Sequence, residues 1–331
     1  MSVGPAVSWL TGPAFDLGAL KPLSDLPAIG ADPVLRERLE LKGLRLFAEA
    51  ARPMSDHLEA AVRACLKSAD VNANEVKAVV VASGSDFRDR EFDLQVFAAL
   101  RALDLDNLTP IGVSMSECAN LSSALLVADA LVRSGSAGEV LVIICDAPPV
   151  ERLYGVDTAV LSDGASACLV SSRPRGRVAY ELRNVVVRSN ARHAGADLTR
   201  GSFARFLRVH LDGFSAAFRA MARAEGLEPS QVTHFLPPNL NYYAADFLAA
   251  AAGVPKDCVF KTNIPAIGHV QGSDPLINLA SLEQSGGCTP GDTIVVAALG
   301  PHSWGVVILG CVAIDPAVSR DRALSAASTD A

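Results

Sequence analysis

The sequence predicts a mixed α/β protein whose sheets are covered on both faces. Short apolar runs rich in Val and Ile alternate with segments of helical periodicity, and turn residues bound each run. Half of the 331 residues are hydrophobic and only 20% are charged, which supplies ample core for one large or two medium domains.

In chain order, a helix near 56–68 leads to a buried strand at 77–83, built on Val79-Val80-Val81. A helix near 91–103 follows. Residues 112–115 then deliver the chain to Ser116-Glu117-Cys118-Ala119-Asn120, where an apolar-periodic helix begins; it runs to about Ser134 and stops at Gly135. Strands are predicted at 139–145 and 166–171, with Pro148-Pro149 as a turn between them, and a half-exposed strand at 177–187. The second half repeats this logic. It has a long helix near 203–225, a strand at 232–236, a helix at 242–252, a short strand at 258–260, a helix at 275–284, and strands at 293–298 and 305–312. The similar order predicts an internal duplication, with halves at 1–173 and 174–316. A Ser/Ala/Asp-rich tail over 317–331 is expected to fray.

Composition excludes several classes. The net charge is −7 with no Lys/Arg block, which argues against nucleic acid or an anionic membrane as the principal partner. The N-terminus has no basic segment followed by an apolar run, and no apolar stretch approaches 18 residues, so a cytoplasmic protein is expected. The seven cysteines are widely spaced, without a CxxC pair or a His at zinc-ligand spacing. Cys145 and Cys168 fall inside apolar strands and read as core; reduced thiols and no bound metal are expected.

Cys118 is the exception. A thiol at a helix start faces unpaired N–H groups and the positive end of the helix dipole, which favour the nucleophilic thiolate. Three further segments give it a context: Leu161-Ser162-Asp163-Gly164-Ala165-Ser166-Ala167, a turn opening a strand; Gly268-His269-Val270-Gln271-Gly272-Ser273-Asp274-Pro275, ahead of a helix; and Ala298-Leu299-Gly300-Pro301-His302-Ser303-Trp304-Gly305, between the last two strands.

With Cys118, the order and spacing of these segments resemble the thiolase superfamily, and within it the ketoacyl-ACP synthase III branch, over roughly residues 77–312. The resemblance implies a five-layered αβαβα fold, a homodimer, and a nucleophilic cysteine at the base of a narrow tunnel. It implies an acyl group passing from a coenzyme A or acyl carrier protein thioester to Cys118 and then to a second substrate, with no permanently bound cofactor. The N–H groups of Cys118 and Gly300 would form the oxyanion hole, since Pro301 has no N–H.

The departures are informative. Condensing members carry His-Gln-Ala-Asn after a strand and an Asn in a later Gly-Asn turn. Here the first segment reads Pro238-Asn239-Leu240-Asn241, and His269 stands at the turn Asn position. Pro238 can neither donate nor accept through its side chain, which places decarboxylative condensation in doubt. Cys118, His269 and Asp274 instead resemble an offshoot of antibiotic pathways that uses a Cys- or Ser-His-Asp triad to select starter units or to acylate an acceptor. Asp274 before Pro275 also reads as an ordinary helix cap. Asn241, Pro238 and His302 are possible pocket residues, Asn241 equally a cap; Phe87, Phe92 and Phe97 are candidates for the tunnel wall. His57, His193, His210 and His234 read as structural or exposed.

Relatives that dock acyl carrier protein place Lys and Arg on the helix after His-Gln-Ala-Asn, but residues 239–255 contain neither. Arg205, Arg208, Arg219 and Arg223 on the preceding helix could substitute or simply be solvated. The weighted expectation is an acyltransferase moving an acyl group from acyl-CoA, or a carrier, to a hydroxyl, amine or thiol in specialised metabolism. A starter-unit condensing enzyme and a non-catalytic partner subunit are the alternatives.

Overall fold

The computed structural model describes residues 7–84, 90–146, 151–193 and 200–313. The chain opens with β1 (Trp9–Leu17), followed by the hairpin of β2 (Ala19–Pro22) and β3 (Leu46–Glu49), which encloses α1 (Pro27–Gly30) and α2 (Pro33–Leu41). Then come α3 (Met54–Ala69), β4 (Ala78–Ala82), α4 (Arg90–Ala102), β5 (Ile111–Val113), α5 (Asn120–Arg133) and β6 (Glu139–Asp146). The short strands β7 (Leu153–Tyr154) and β8 (Ala159–Val160) precede β9 (Gly164–Ser171). The second half comprises β10 (Val178–Ser189), α6 (Arg200–Glu225), β11 (His234–Leu236), α7 (Tyr242–Ala252), α8 (Asn263–Ile267), α9 (Asp274–Gln284), β12 (Thr293–Gly300) and β13 (Ser303–Ala313).

Nine strands pair in the order β11-β12-β13-β10-β1-β9-β6-β4-β5. Outward from the β1–β10 junction the two halves follow one plan. β1 is antiparallel to β9, β9 to β6, and β6 is parallel to β4; β10 is antiparallel to β13, β13 to β12, and β12 is parallel to β11. A long helix follows each first strand (α3, α6), and a second (α5, α9) lies ahead of each third strand. The duplication is therefore built into the topology.

The alternation of side chains along each strand assigns the layers. On β6, Leu141 and Ile143 join an outer core with Leu58 and Val62 of α3 and Val96 and Leu100 of α4. Val140, Val142 and Ile144 point the other way, into a central core with Leu121 and Leu125 of α5 and Leu276 and Leu279 of α9. β12 divides likewise: Ile294 and Val296 face that central core, while Val295 and Ala297 pack on Phe214 and Phe218 of α6 and Leu248 of α7. Helices, half-sheet, helices, half-sheet, helices make five layers, the thiolase fold. No helix among the described residues is long and apolar enough to cross a membrane.

Three expectations need correction. The strand expected at 258–260 is a 3-10 turn, Lys256–Cys258, followed by a single bridge from Val259 to Phe235. The pattern reading also missed β1, a central strand. Its Gly12-Pro13 pair reads as a turn but forms a bulge between Thr11 and Ala14, where Gly12 has φ +59° and a Cβ would lie 2.6 Å from the Cys65 carbonyl oxygen. Phe92 packs in the outer core, and Phe97 is 52% exposed, so neither walls a tunnel beside Cys118. Phe87, Pro148-Pro149 and the 317–331 tail lie outside the described residues.

Candidate active site

Cys118 sits in a 3-10 turn, Glu117–Ala119, directly before α5. The turn is tightly constrained: Met115 and Glu117 have φ values of 72° and 47°, uncommon for residues with side chains. Asn120, fully buried, accepts from the Ser116 N–H at 2.9 Å and donates to the Ser83 carbonyl at 2.6 Å. His302 donates from Nε2 to the Met115 carbonyl at 3.0 Å. Gly300, at the end of β12, lies so close that a Cβ there would stand 2.3 Å from the Ser116 carbonyl oxygen. Gly300→Ala should therefore displace the turn. A shift of about 1 Å at a reacting atom costs on the order of 10²-fold in rate. If Cys118 takes up an acyl group as the family resemblance implies, mass-spectrometric timing of that acylation should register the slowing, and a wild-type rate would contradict it.

His269 is fixed from the other half. Its N–H donates to the Val160 carbonyl and its carbonyl accepts from the Ser162 N–H, both at 2.9 Å, which bridges it to Leu161. Ser162 Oγ donates to the Ile267 carbonyl at 2.6 Å, and Asp163 holds Arg152 through two hydrogen bonds of 2.8 and 2.7 Å. The Ser162-Asp163-Gly164 turn is thus the support on which the His269 loop rests.

The Cys118 Sγ lies 3.7 Å from His269 Nε2, and His269 Nδ1 lies 2.5 Å from Asp274 Oδ2. Asp274 Oδ2 also accepts from the Asn239 N–H at 2.6 Å, and Oδ1 from the Val270 N–H at 2.7 Å. With Nδ1–H donated to the carboxylate, Nε2 is left as the acceptor facing the thiol. Asp274 is the first residue of α9; Ser273 holds the cap position, with no side-chain cap bond. The cap reading of Asp274 is therefore replaced, because its carboxylate turns back to the His269 loop and collects three donors.

The thiol's electrostatics reverse the sequence expectation. Burial pushes the Cys118 pKa well above its ordinary value, and the acids Asp146, Glu117 and Asp274 push it the same way. Desolvation and negative neighbours outweigh the N–H groups at the helix start, so the resting group is a thiol. Asp146, missed at sequence level, ends β6 and accepts from the Gly84 N–H at 2.5 Å and the Gly272 N–H at 3.0 Å, tying the loops on either side of Cys118.

Cys118, His269 and Gly300 line one cleft. Its other walls are Leu207, His210 and Leu211 of α6; Leu240; Ala244, Phe247 and Leu248 of α7; Leu299; and Tyr154 and Thr158 of the β7–β8 hairpin. Pro238, Asn241 and His302 do not line it. Pro238 is buried. Asn241 is fully engaged as the α7 cap, accepting from the Ala244 N–H at 2.9 Å and donating to the Thr158 carbonyl at 2.7 Å. His302 props the Met115 turn instead. Among the described residues no group of three or more His, Cys, Asp and Glu could hold a metal ion.

His210 was not recognisable from sequence, since nothing but its place on the apolar stripe of α6 marks it. Its Nδ1 accepts from Trp304 Nε1 at 3.2 Å, and burial lowers its pKa from 6.5 to about 4. Between those values the unfolded chain binds a proton that the folded one refuses. Stability is then full above pH 6.5 and falls towards pH 4 by roughly 3 kcal/mol. His210→Gln, which can still accept from Trp304, should flatten this slope in thermal melts across that range; an unchanged slope would refute the assignment.

Comparison with known proteins places the fold and site in context. Residues 222–311 match the family model for the 3-oxoacyl-[acyl-carrier-protein] synthase III C terminal. The mycobacterial β-ketoacyl-[acyl-carrier-protein] synthase III of Mycobacterium marinum is 25% identical over 293 residues, covering 82% of this chain and 84% of that one. The structure of 3-oxoacyl-[acyl-carrier-protein] synthase III from Aquifex aeolicus superposes with a TM-score of 0.77 at 20% identity, over 92% of this chain and 99% of that one. ChlB3, described as an acyltransferase, superposes with a TM-score of 0.76 at 18% identity, over 93% and 98%. The chain has the thiolase fold, its residues 222–311 match the synthase III C-terminal model, and its sequence is similar to that of synthases III, which are enzymes.

Proposed function

We propose that this chain is an acyltransferase that carries its acyl group on Cys118. The continuous Cys118–His269–Asp274 contact, with Cys118 and His269 lining an apolar cleft, carries the reading. His269 Nε2 takes the thiol proton as sulfur attacks the thioester carbonyl of an acyl-CoA, or of a carrier-bound acyl group, and the proton then goes to the departing thiol. The Cys118 and Gly300 amides hold the oxyanion. An acceptor hydroxyl, amine or carrier thiol attacks the acyl-enzyme in turn, with His269 again as base. Acyl-coenzyme A is a substrate here rather than a bound cofactor, and the chain works as a homodimer in specialised metabolism.

General-base help is typically worth ~10²–10⁴ in rate, and an oxyanion donor ~10²–10³. Intact-mass spectrometry after incubation with short acyl-CoAs tests the first step: Cys118 gains the acyl mass, and Cys118→Ala gains none. An unmodified Cys118 across a broad donor panel would overturn the proposal.

A second reading is favoured by the names of the sequence relatives, which are β-ketoacyl synthases. In that case malonyl-ACP would yield carbon dioxide and a β-ketoacyl product. Pro238, which stands where those enzymes carry His, weighs against it.

A further inference from the structure

The walls of the cleft bear on what receives the acyl group. Leu207, Leu211, Leu240, Ala244, Leu248 and Leu299 make it apolar, and among the described residues no Lys, Arg, Asp or Glu lines it. The exposed face of α7, the helix that gives Phe247 to the lining, is also unusual. Tyr243 and Phe247, four residues apart on one face of α7, are 54% and 50% exposed, and residues 239–255 contain no Lys or Arg. An anionic or acidic acceptor would therefore find no counter-charge on α7, and a cation would be stripped of water by a leucine wall.

Among the described residues, the other polar side chains that line the cleft are uncharged near neutral pH. Tyr154 has its ring 6.1 Å from that of His269, and burial keeps its phenol protonated well beyond the usual range. Burial likewise holds His210 neutral. The Thr158 Oγ1 is buried in the wall without a hydrogen-bond partner, an atom that a bound hydroxyl could satisfy. A mostly apolar pocket with a few convergent neutral polar groups selects for a ligand of the same composition.

We propose that the second substrate is an uncharged, largely apolar alcohol whose hydroxyl is held by Tyr154 and Thr158 against His269. This rests on the acyl-enzyme reading above. The alcohol oxygen bonds to the thioester carbonyl carbon while its proton passes to His269 Nε2. Collapse of the adduct breaks the C–S bond, and sulfur leaves with the proton from His269. The products are an ester and the free Cys118 thiol.

The test uses acyl-enzyme prepared with a short acyl-CoA and freed of coenzyme A. It is offered 2-phenylethanol, glucose, choline, 3-hydroxybutyrate, holo acyl carrier protein or malonyl-ACP. Unloading to 2-phenylethanol should be fastest and should give the ester. Losing one neutral hydrogen bond corresponds to about 10-fold, so Tyr154→Phe and Thr158→Val should each raise the KM for the alcohol by up to that factor with a smaller change in kcat. Failure to form any acyl-enzyme would overturn the function proposed above. An acyl-enzyme that unloads faster to the sugar, the charged probes or either carrier, or to none of the probes, would overturn the alcohol proposal alone.

Discussion

Replacing His269 with alanine is expected to slow acylation of Cys118 by about 10²–10⁴. The size of the effect follows from the state of the thiol. Were Cys118 already a thiolate, a base would be dispensable for the first step. Burial and the acids Asp146, Glu117 and Asp274 instead hold it protonated, so the proton must leave as sulfur attacks. Nε2 of His269, 3.7 Å away, is the acceptor in place. The pH dependence should change as well. Without His269, alkylation of Cys118 by iodoacetamide should climb through pH 9 with no plateau, because the charged form of the thiol is disfavoured and only rising pH supplies it. Quenched-flow mass spectrometry measures the first effect and an alkylation profile the second. A variant acylating at the wild-type rate would remove His269 from the chemistry.

How much of this was legible in the sequence depends on the range of the contacts involved. The alternating strands and helices of each half were readable because β6 and β12 carry uninterrupted apolar runs and α5 a clear apolar period. β1 was not, because Gly12-Pro13 serves a bulge against α3, and a bulge has the composition of a turn. In the site, the five-residue spacing of His269 and Asp274 is local, so their approach could be anticipated. The protonation state of Cys118 could not, because Asp146 and Asp274 reach it from distant segments. His210 and Tyr154 belong to α6 and to the β7–β8 hairpin, and only tertiary packing brings them into the same cleft.

Asp274→Asn separates two roles that local sequence cannot. Asparagine caps a helix about as well as aspartate, so a mere cap would tolerate the change with little loss of stability or activity. In the observed arrangement the carboxylate accepts from His269 Nδ1 and from the Asn239 and Val270 N–H groups. An amide brings an NH₂ group against at least one of those donors, and a buried donor left unpaired costs about 1–3 kcal/mol. The imidazole loses its orienting partner too and can place its proton on Nε2, facing the thiol with a donor. In triads of this logic the wrong tautomer lowers turnover by about 10⁴. The expected outcome is therefore a folded protein with a lower melting temperature, acyl transfer reduced by several orders of magnitude, and Cys118 still open to alkylation at high pH. Near wild-type transfer by Asp274→Asn would reduce Asp274 to a packing residue and leave His269 acting without a carboxylate behind it.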